Sequence, residues 1–477
     1  MGLRTDGLDK VDLALLLALV GSTLAFYLAF LTRSPLIYGW DGPYYLVQLR
    51  HIARTGWLKY GDPPLAFYYF FAISALVGDF TLGIKLGTAM MAALMVVPAY
   101  CLVRQELGRR AEAVLAGATL ALSPHLLRLS CDLLKNLVGS TFLMFSAFFF
   151  ARGLRRDDGR DLLASSAFLL LASITHILAF CMNVAFLLLY TAFTAICNRQ
   201  KAADALEGLA IVLSAPLALV LICFPLLPTY FSDLLKIGAF FRDLLRSTGP
   251  SYIPFFLEQL LAYATLTICV AGFLPAVKHL RYGESSKAAL TLTLSTLGTF
   301  ISAPIAPPDW YWRLSLMGFF PICVLLPIIA HEARLLSDIA PILPREIRHE
   351  LTTAVTATGF LVPLLLFTHF NFNLLGPSLD EPMLSDLMAM VDSVPKGSVV
   401  VAPNQAVGYW AEYLFDCDWA RELEPDLFSR YDHVLVIAGP DFKKPSLPMR
   451  LLCVGEVLLL YELIPPPFGA PGPLRAI

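Results

Sequence analysis

Six side chains in this apolar sequence are of types that bind or move charge and stand where packing has no use for them: Asp41, Asp132, Lys135, Asn136, His176 and Arg313. Asp41 lies in Tyr38-Gly39-Trp40-Asp41-Gly42-Pro43-Tyr44-Tyr45, just past the first apolar run. Asp132 lies in Ser130-Cys131-Asp132-Leu133-Leu134-Lys135-Asn136. Two carboxylates meeting on one cavity can ligate a divalent cation, or one can act as general base beside the other. Lys135 and Asn136 follow Asp132 at the spacing that shares one helical face. A lysine there can hold a phosphate. So can His176, in Ile174-Thr175-His176, and Arg313, whose planar fork binds phosphate through two parallel hydrogen bonds.

Each residue also has a plainer reading. Asp41 can simply cap a helix over 43–55, and Asp132 a helix starting at Leu133. Lys135 can snorkel to the membrane interface, and His176 can be a hydrogen-bonded core residue. Trp310-Tyr311-Trp312, directly before Arg313, is what an interfacial aromatic belt requires in any case. His331-Glu332 begins like a zinc-protease motif, but Leu335 occupies the second histidine position, so that motif is absent.

The elements that must position these groups follow from composition. Of 477 residues 57% are hydrophobic and 15% charged, with mean hydropathy +0.68. A soluble domain carries about 25% charged residues, so the chain reads as a polytopic membrane protein. Its net charge of −2 gives no basic field and no case for nucleic acid. The nine cysteines have no C-x-x-C or zinc spacing. Most lie in apolar runs as small hydrophobes, while Cys417 and Cys453 fall in the polar tail and could pair there.

Apolar stretches predict spans near 11–32, 82–103, 111–127, 134–152, 161–177, 178–197, 206–227, 254–277, 287–303, 313–330 and 351–370. The first reads as a retained span rather than a cleaved signal. Basic loops (Arg4/Lys10, Arg104/Arg109/Arg110, Arg152–Arg160, Arg199/Lys201, Lys278–Lys287, Arg334–Arg348) then share one side, the cytoplasmic one. That holds if 64–79 is a short re-entrant or interfacial helix; a further span there would break the pattern. Facing the other side are a long first loop (33–80), a short turn at Leu129–Lys135, an amphipathic segment within 228–253, and the loop ending in Trp310-Tyr311-Trp312. Pro465-Pro466-Pro467 reads as a loose end. After Phe370 the pattern changes: a helix over 383–394, a strand at 398–402, a helix over 406–415, and strands at 433–438 and 449–460. The fold class is therefore an all-α membrane bundle of eleven to twelve helices over 1–370, with a small extracytoplasmic α/β domain over 383–465.

The order of spans over 10–330 resembles the GT-C membrane glycosyltransferases, among them protein O-mannosyltransferases, the aminoarabinose transferase of lipid A and oligosaccharyltransferase catalytic subunits. The resemblance rests on Asp41 with its following amphipathic helix (Leu46, Leu49, Ile52), on Gly61-Asp62-Pro63-Pro64-Leu65-Ala66-Phe67-Tyr68-Tyr69, and on the Asp-x-x-Lys-Asn turn Asp132–Asn136. It implies transfer of a sugar from a polyprenyl-phosphate or -pyrophosphate donor to a protein, lipid or glycan acceptor. The reaction would take place on the extracytoplasmic face of the plasma membrane, in cell-envelope glycosylation. Asp41 and Asp132 would be the catalytic carboxylates, shared with Mg²⁺ or Mn²⁺ where a metal is used. Lys135, Asn136, His176 and Arg313 would bind the donor phosphate. Gly408-Tyr409-Trp410-Ala411-Glu412 departs from the Trp-Trp-Asp-Tyr-Gly motif of oligosaccharyltransferases, which argues against en bloc N-glycan transfer. The alternative is a transporter or flippase for a lipid-linked sugar; the lack of any internal repeat speaks against it.

Overall fold

The computed structural model describes residues 8–228, 235–246, 253, 256–336, 368–369, 374–439 and 447–464. The helices are α1 (Lys10–Leu31), α2 (Gly42–Thr55), α3 (Leu65–Val77), α4 (Phe80–Leu107), α5 (Arg110–Ala121), α6 (Pro124–Asp132), α7 (Leu134–Arg156), α8 (Gly159–Ser173), α9 (Ile177–Cys197), α10 (Ala202–Leu226), α11 (Leu235–Arg246), α12 (Phe256–Ala271), α13 (Phe273–Arg281), α14 (Ser285–Ser302), α15 (Pro308–Leu316) and α16 (Phe319–Leu336). Then come α17 (Glu381–Met390), α18 (Gln405–Phe415) and α19 (Leu427–Arg430), with strands β1 (Ser398–Val401), β2 (Asp418–Ala420), β3 (His433–Ala438), β4 (Met449–Val454) and β5 (Leu459–Leu463).

Among the described residues seven helices are long and apolar enough to cross a membrane, or eight if the bent pair α15–α16 is one span. The chain is a multi-pass membrane protein. Two expected spans are shorter or more polar helices, α8 and α14, and the expected span 351–370 lies almost wholly outside the described residues. Three expected straight spans are interrupted. The 111–127 span runs on as α5 and α6 to Asp132, with Pro124 restarting the helix. The 254–277 span divides at Gly272 into α12 and α13. The 313–330 span bends by 50° between α15 and α16. Gly318 stands at that bend because a Cβ there would lie 2.8 Å from Thr265 Cγ2 and 3.2 Å from His125 Nε2. α3 has 13 residues, about 20 Å at 1.5 Å per residue, which is short of a ~30 Å hydrocarbon core.

The chain divides into two compact units. The first comprises 1–33, 61–69 and 85–374; the second comprises 34–60, 70–84 and 375–477. The core of the first is built from helix pairs such as α7 with α8 and α9 with α14. Close approach is bought with small residues: a Cβ on Gly139 of α7 would sit 2.8 Å from Ala179 Cβ of α9.

In the second unit the sheet order is β2-β1-β3-β5-β4. β1 pairs parallel with β2 and β3, while β5 pairs antiparallel with β3 and β4. One face buries Val399, Val401, Val434, Val436 and Leu463 with Leu423 and Leu427. The expected single strand 449–460 is instead the hairpin β4–β5. Its turn is fixed by Asp386, whose carboxylate accepts from the N–H groups of Glu456 (2.8 Å), Val457 (2.7 Å) and Leu458 (2.8 Å). Burial alone would raise the Asp386 pKa, but the three donors outweigh it and hold the carboxyl below its ordinary value. The short strand β2 was not foreseen. Cys417 and Cys453 are both free thiols.

Candidate active site

In the first unit the site residues gather where α7 begins. The helical face expected to carry Asp132, Lys135 and Asn136 together does not exist. Asp132 ends α6, and Leu133 (φ −129°, ψ 58°) breaks the helix before α7 starts. The N-cap position of α7 belongs to Leu133, not to Asp132. The Asp132 carboxylate, 6% exposed, lies 2.8 Å from Arg128 one turn back in α6, and the same guanidinium is 3.3 Å from Glu258 of α12. Arg128 also faces the Trp312 ring at 5.9 Å. Two acids thus share one half-buried cation, which is how an ionised pair survives at low dielectric.

Lys135 points to Asp62: Nζ lies 2.6 Å from Oδ1, with the Phe67 ring 5.7 Å away. Asp62 is 7% exposed, so this pair is largely desolvated. Asn136, one residue on, is buried, and its Oδ1 has no hydrogen-bond partner among the described residues. His176 takes the N-cap of α9, with Nδ1 accepting from the Leu178 N–H at 3.1 Å. That bond puts the ring proton on Nε2, so the imidazole is a neutral donor. Gly139 brings the ring close. A Cβ there would stand 3.4 Å from His176 Cβ, and Gly139 is one helical turn beyond Lys135 and Asn136. The segment carrying Asp62 joins the same turn through the Leu65 N–H, which donates to Ile174 O at 3.3 Å. The structure therefore brings Asp62, Lys135, Asn136 and His176 together. Arg313 is not drawn in: its side chain is exposed on α15.

Arg128 and Asp62 were missed by sequence reasoning. Arg128 was legible only as the residue four before Asp132, a relation hidden by reading 129–135 as a turn rather than helix. Asp62 was quoted within Gly61–Tyr69 without a role.

Asp41 belongs to the second unit. It occupies the N-cap position of α2 but makes no side-chain cap bond, so helix capping does not account for it. Oδ1 instead accepts from Gln405 Nε2 at 3.2 Å. α2 is amphipathic, with Leu46, Leu49 and Ile52 buried, and ends at Gly56 (φ +81°), where the left-handed backbone suits glycine. Buried Gln48 ties down the chain that follows. Its Oε1 accepts from the Lys59 N–H (2.9 Å) and the Tyr60 N–H (3.3 Å), and its Nε2 donates to Tyr60 O at 3.1 Å. The Tyr44 and Tyr409 rings meet at 5.0 Å.

An ionic seam runs beside them. Lys59 bonds Glu412, and Asp418 at 2.6 Å; Arg54 bonds Asp416 at 2.6 Å. Burial comes first for Glu412 and pushes its carboxyl up against the pull of Lys59. The more exposed Asp416 is held below its ordinary value, chiefly by the Arg54 hydrogen bond.

Among the described residues no group of three or more His, Cys, Asp or Glu side chains has metal-holding geometry. A divalent ion on Asp132 would sit against the Arg128 guanidinium, so the donor set there does not fit Mg²⁺ or Mn²⁺.

Residues 61–224 match the family model described as dolichyl-phosphate-mannose-protein mannosyltransferase, and that stretch contains Asp62, Asp132, Lys135, Asn136 and His176. Solved structures extend the likeness over most of the chain. ArnT from Cupriavidus metallidurans bound to undecaprenyl phosphate superposes with TM-score 0.58 at 12% identity, over 94% of this chain and 97% of that one. The oligosaccharyltransferase AglB from Archaeoglobus fulgidus, in complex with an inhibitory peptide and a dolichol-phosphate, gives 0.59 at 12% identity. This chain has the GT-C fold. The GT-C likeness to AglB covers 85% of this chain but only 64% of AglB, so the chain spans just under two thirds of that protein's length. A second A. fulgidus oligosaccharyltransferase structure, tethered to an acceptor peptide with the NVT sequon, gives 0.55 at 14% identity, over 85% of this chain and 63% of that one. No curated protein sequence matches significantly.

Proposed function

We propose that this GT-C protein transfers a sugar from a polyprenyl-phosphate or polyprenyl-pyrophosphate donor to a protein, lipid or glycan acceptor at the extracytoplasmic face of the plasma membrane. The observation that carries the reading is the Asp62–Lys135–Asn136–His176 cluster at the start of α7, inside the stretch that matches the mannosyltransferase model. As the glycosidic C–O bond breaks, its electron pair and the negative charge pass to the departing phosphate. The Lys135 ammonium and the His176 Nε2–H are already oriented by Asp62 and the α9 backbone. Donors fixed in advance stabilise such developing charge most in the transition state. Asn136 adds an amide to the same phosphate, and Arg313 is a further contact to the donor head group.

Asp41 takes the proton from the acceptor hydroxyl as its oxygen bonds to the anomeric carbon, which suits a half-buried carboxylate not used for capping. Asp132, held beside Arg128 in the first unit, is the second carboxylate of this proposal. Transfer is tested by incubating purified protein with a panel of prenyl-phosphate sugars and measuring released prenyl phosphate. No release from any donor, under conditions where the protein stays monodisperse, ends this reading.

A further inference from the structure

At the other end of α7 lies a second site that this chemistry does not use. A cavity of about 100 Å³ opens between the C-terminus of α7, the C-terminal turns of α9, Lys201 and the N-terminus of α14. Lys135 and Arg155 are separated along α7 by a rise of roughly 30 Å, the thickness of a bilayer's hydrocarbon core. The cavity is therefore remote from the Lys135 cluster.

Its walls carry Arg155, Lys201, Tyr190, Thr194, Ser285 and Ser286. Arg155 is partly committed: Nη1 lies 3.3 Å from Oε1 of buried Glu106, which also accepts from Ser286 Oγ at 3.3 Å. Lys201 Nζ donates to a carbonyl, Leu154 O at 3.2 Å, and no carboxylate among the described residues pairs with it. Ser285 and Ser286 open α14, whose N-cap residue Glu284 gives no side-chain cap bond, so the first N–H groups point out without that acceptor. The Thr194 hydroxyl oxygen is buried with no hydrogen-bond partner among the described residues. Room for about three waters, two cations, an unused hydroxyl and a helix N-terminus together suit a tetrahedral oxyanion.

We infer that this cavity binds a phosphate group of net negative charge at the membrane face opposite the Lys135 cluster. A basic pocket among helix ends is what an anionic phospholipid head group would occupy, and soluble phosphate has the same chemistry. The inference does not rest on sugar transfer.

The full chain is reconstituted in nanodiscs of phosphatidylcholine with and without phosphatidylglycerol, and lipid retained after transfer to detergent is counted by native mass spectrometry. In a second arm, inorganic phosphate is titrated in a thermal-unfolding assay against chloride at equal ionic strength. Preferential retention of phosphatidylglycerol identifies a lipid head group; a phosphate-specific rise in Tm identifies a soluble ligand. In either arm Lys201→Gln weakens the response about fivefold and Lys201→Arg preserves it. Ser285→Asp, a residue that suits a helix N-terminus, abolishes the response without unfolding the helix. Equal retention of both lipids together with no phosphate effect, or a Ser285→Asp protein that binds like wild type, overturns the inference.

Discussion

Lys135 Nζ lies 2.6 Å from Asp62 Oδ1, so the cation assigned to the leaving phosphate is held in place by an acid from another segment of the same unit. Both partners are largely desolvated, and the phosphate must share this lysine with Asp62. Lys135→Met is expected to lower kcat on the order of a hundredfold, the usual cost of losing one preorganised donor to developing charge. Asp62→Asn, which leaves the lysine without its carboxylate, is expected to strengthen product inhibition by prenyl phosphate. Both are read from steady-state release of prenyl phosphate. Full activity in Lys135→Met would remove the lysine from the mechanism.

Asp41 gives a sharper contrast. Asp41→Asn is expected to abolish transfer while the protein remains folded in membranes. Gln405→Ala, which removes the 3.2 Å bond to Asp41 Oδ1, is expected to reduce kcat only severalfold with donor KM unchanged, because that bond is solvent-exposed. A Gln405→Ala protein with raised donor KM and normal kcat would point to donor binding rather than to orientation of Asp41.

The shared cation Arg128 makes a stability prediction. Arg128→Met strands two nearly buried acids, Asp132 and Glu258, and is expected to cost about 3 kcal/mol. Adding Asp132→Asn and Glu258→Gln removes the stranded charges and is expected to recover most of the lost Tm in detergent. If the single and triple variants melt together, the three groups do not form a charge unit.

Asp386 predicts a pH dependence in the second unit. Its folded pKa is held below the ordinary 3.8, so its contribution is complete above that value and is lost as pH falls through the lower folded one. Asp386→Ala leaves three turn N–H groups without their acceptor and is expected to cost on the order of 3 kcal/mol. Hydrogen exchange at Glu456, Val457 and Leu458 reads this directly: protection drops in the variant, and in wild type only under strong acid.

Chelation tests the metal expectation. Since Asp132 is already neutralised by Arg128, transfer is expected to survive EDTA. Loss of activity restored by Mg²⁺ or Mn²⁺ would place a metal on Asp41 and displace Asp132 from its present pair.

The broad fold was legible because apolar runs of span length leave little choice, and the break in composition after Phe370 marks the α/β region. The site was legible in part. Lys135 and His176 stood out as polar groups in greasy surroundings, and the structure brings both to the start of α7. Arg128 was hidden because its partner depends on α6 being a helix up to Asp132, and nothing local distinguishes that from a turn. Asp62 was hidden because its partner is 73 residues away, beyond any periodicity. Arg313 lies exposed on α15, where a cation after an aromatic belt suits the membrane interface as well as a donor head group. The hairpin β4–β5 looked like one strand because its turn is made by Asp386, a residue remote in sequence.

The second unit is assembled from segments far apart in the sequence, 34–60 and 70–84 with 375–477. Arg54 reaches Asp416 across 362 positions, and Asp41 reaches Gln405 across 364. During synthesis the ribosome must therefore deliver the whole bundle before the helix after Asp41 meets its partner. A premature stop codon downstream of the last span would yield a protein that inserts normally yet never assembles that helix. Quality control has a simple signal in such a chain: the amphipathic face of Leu46, Leu49 and Ile52 left uncovered.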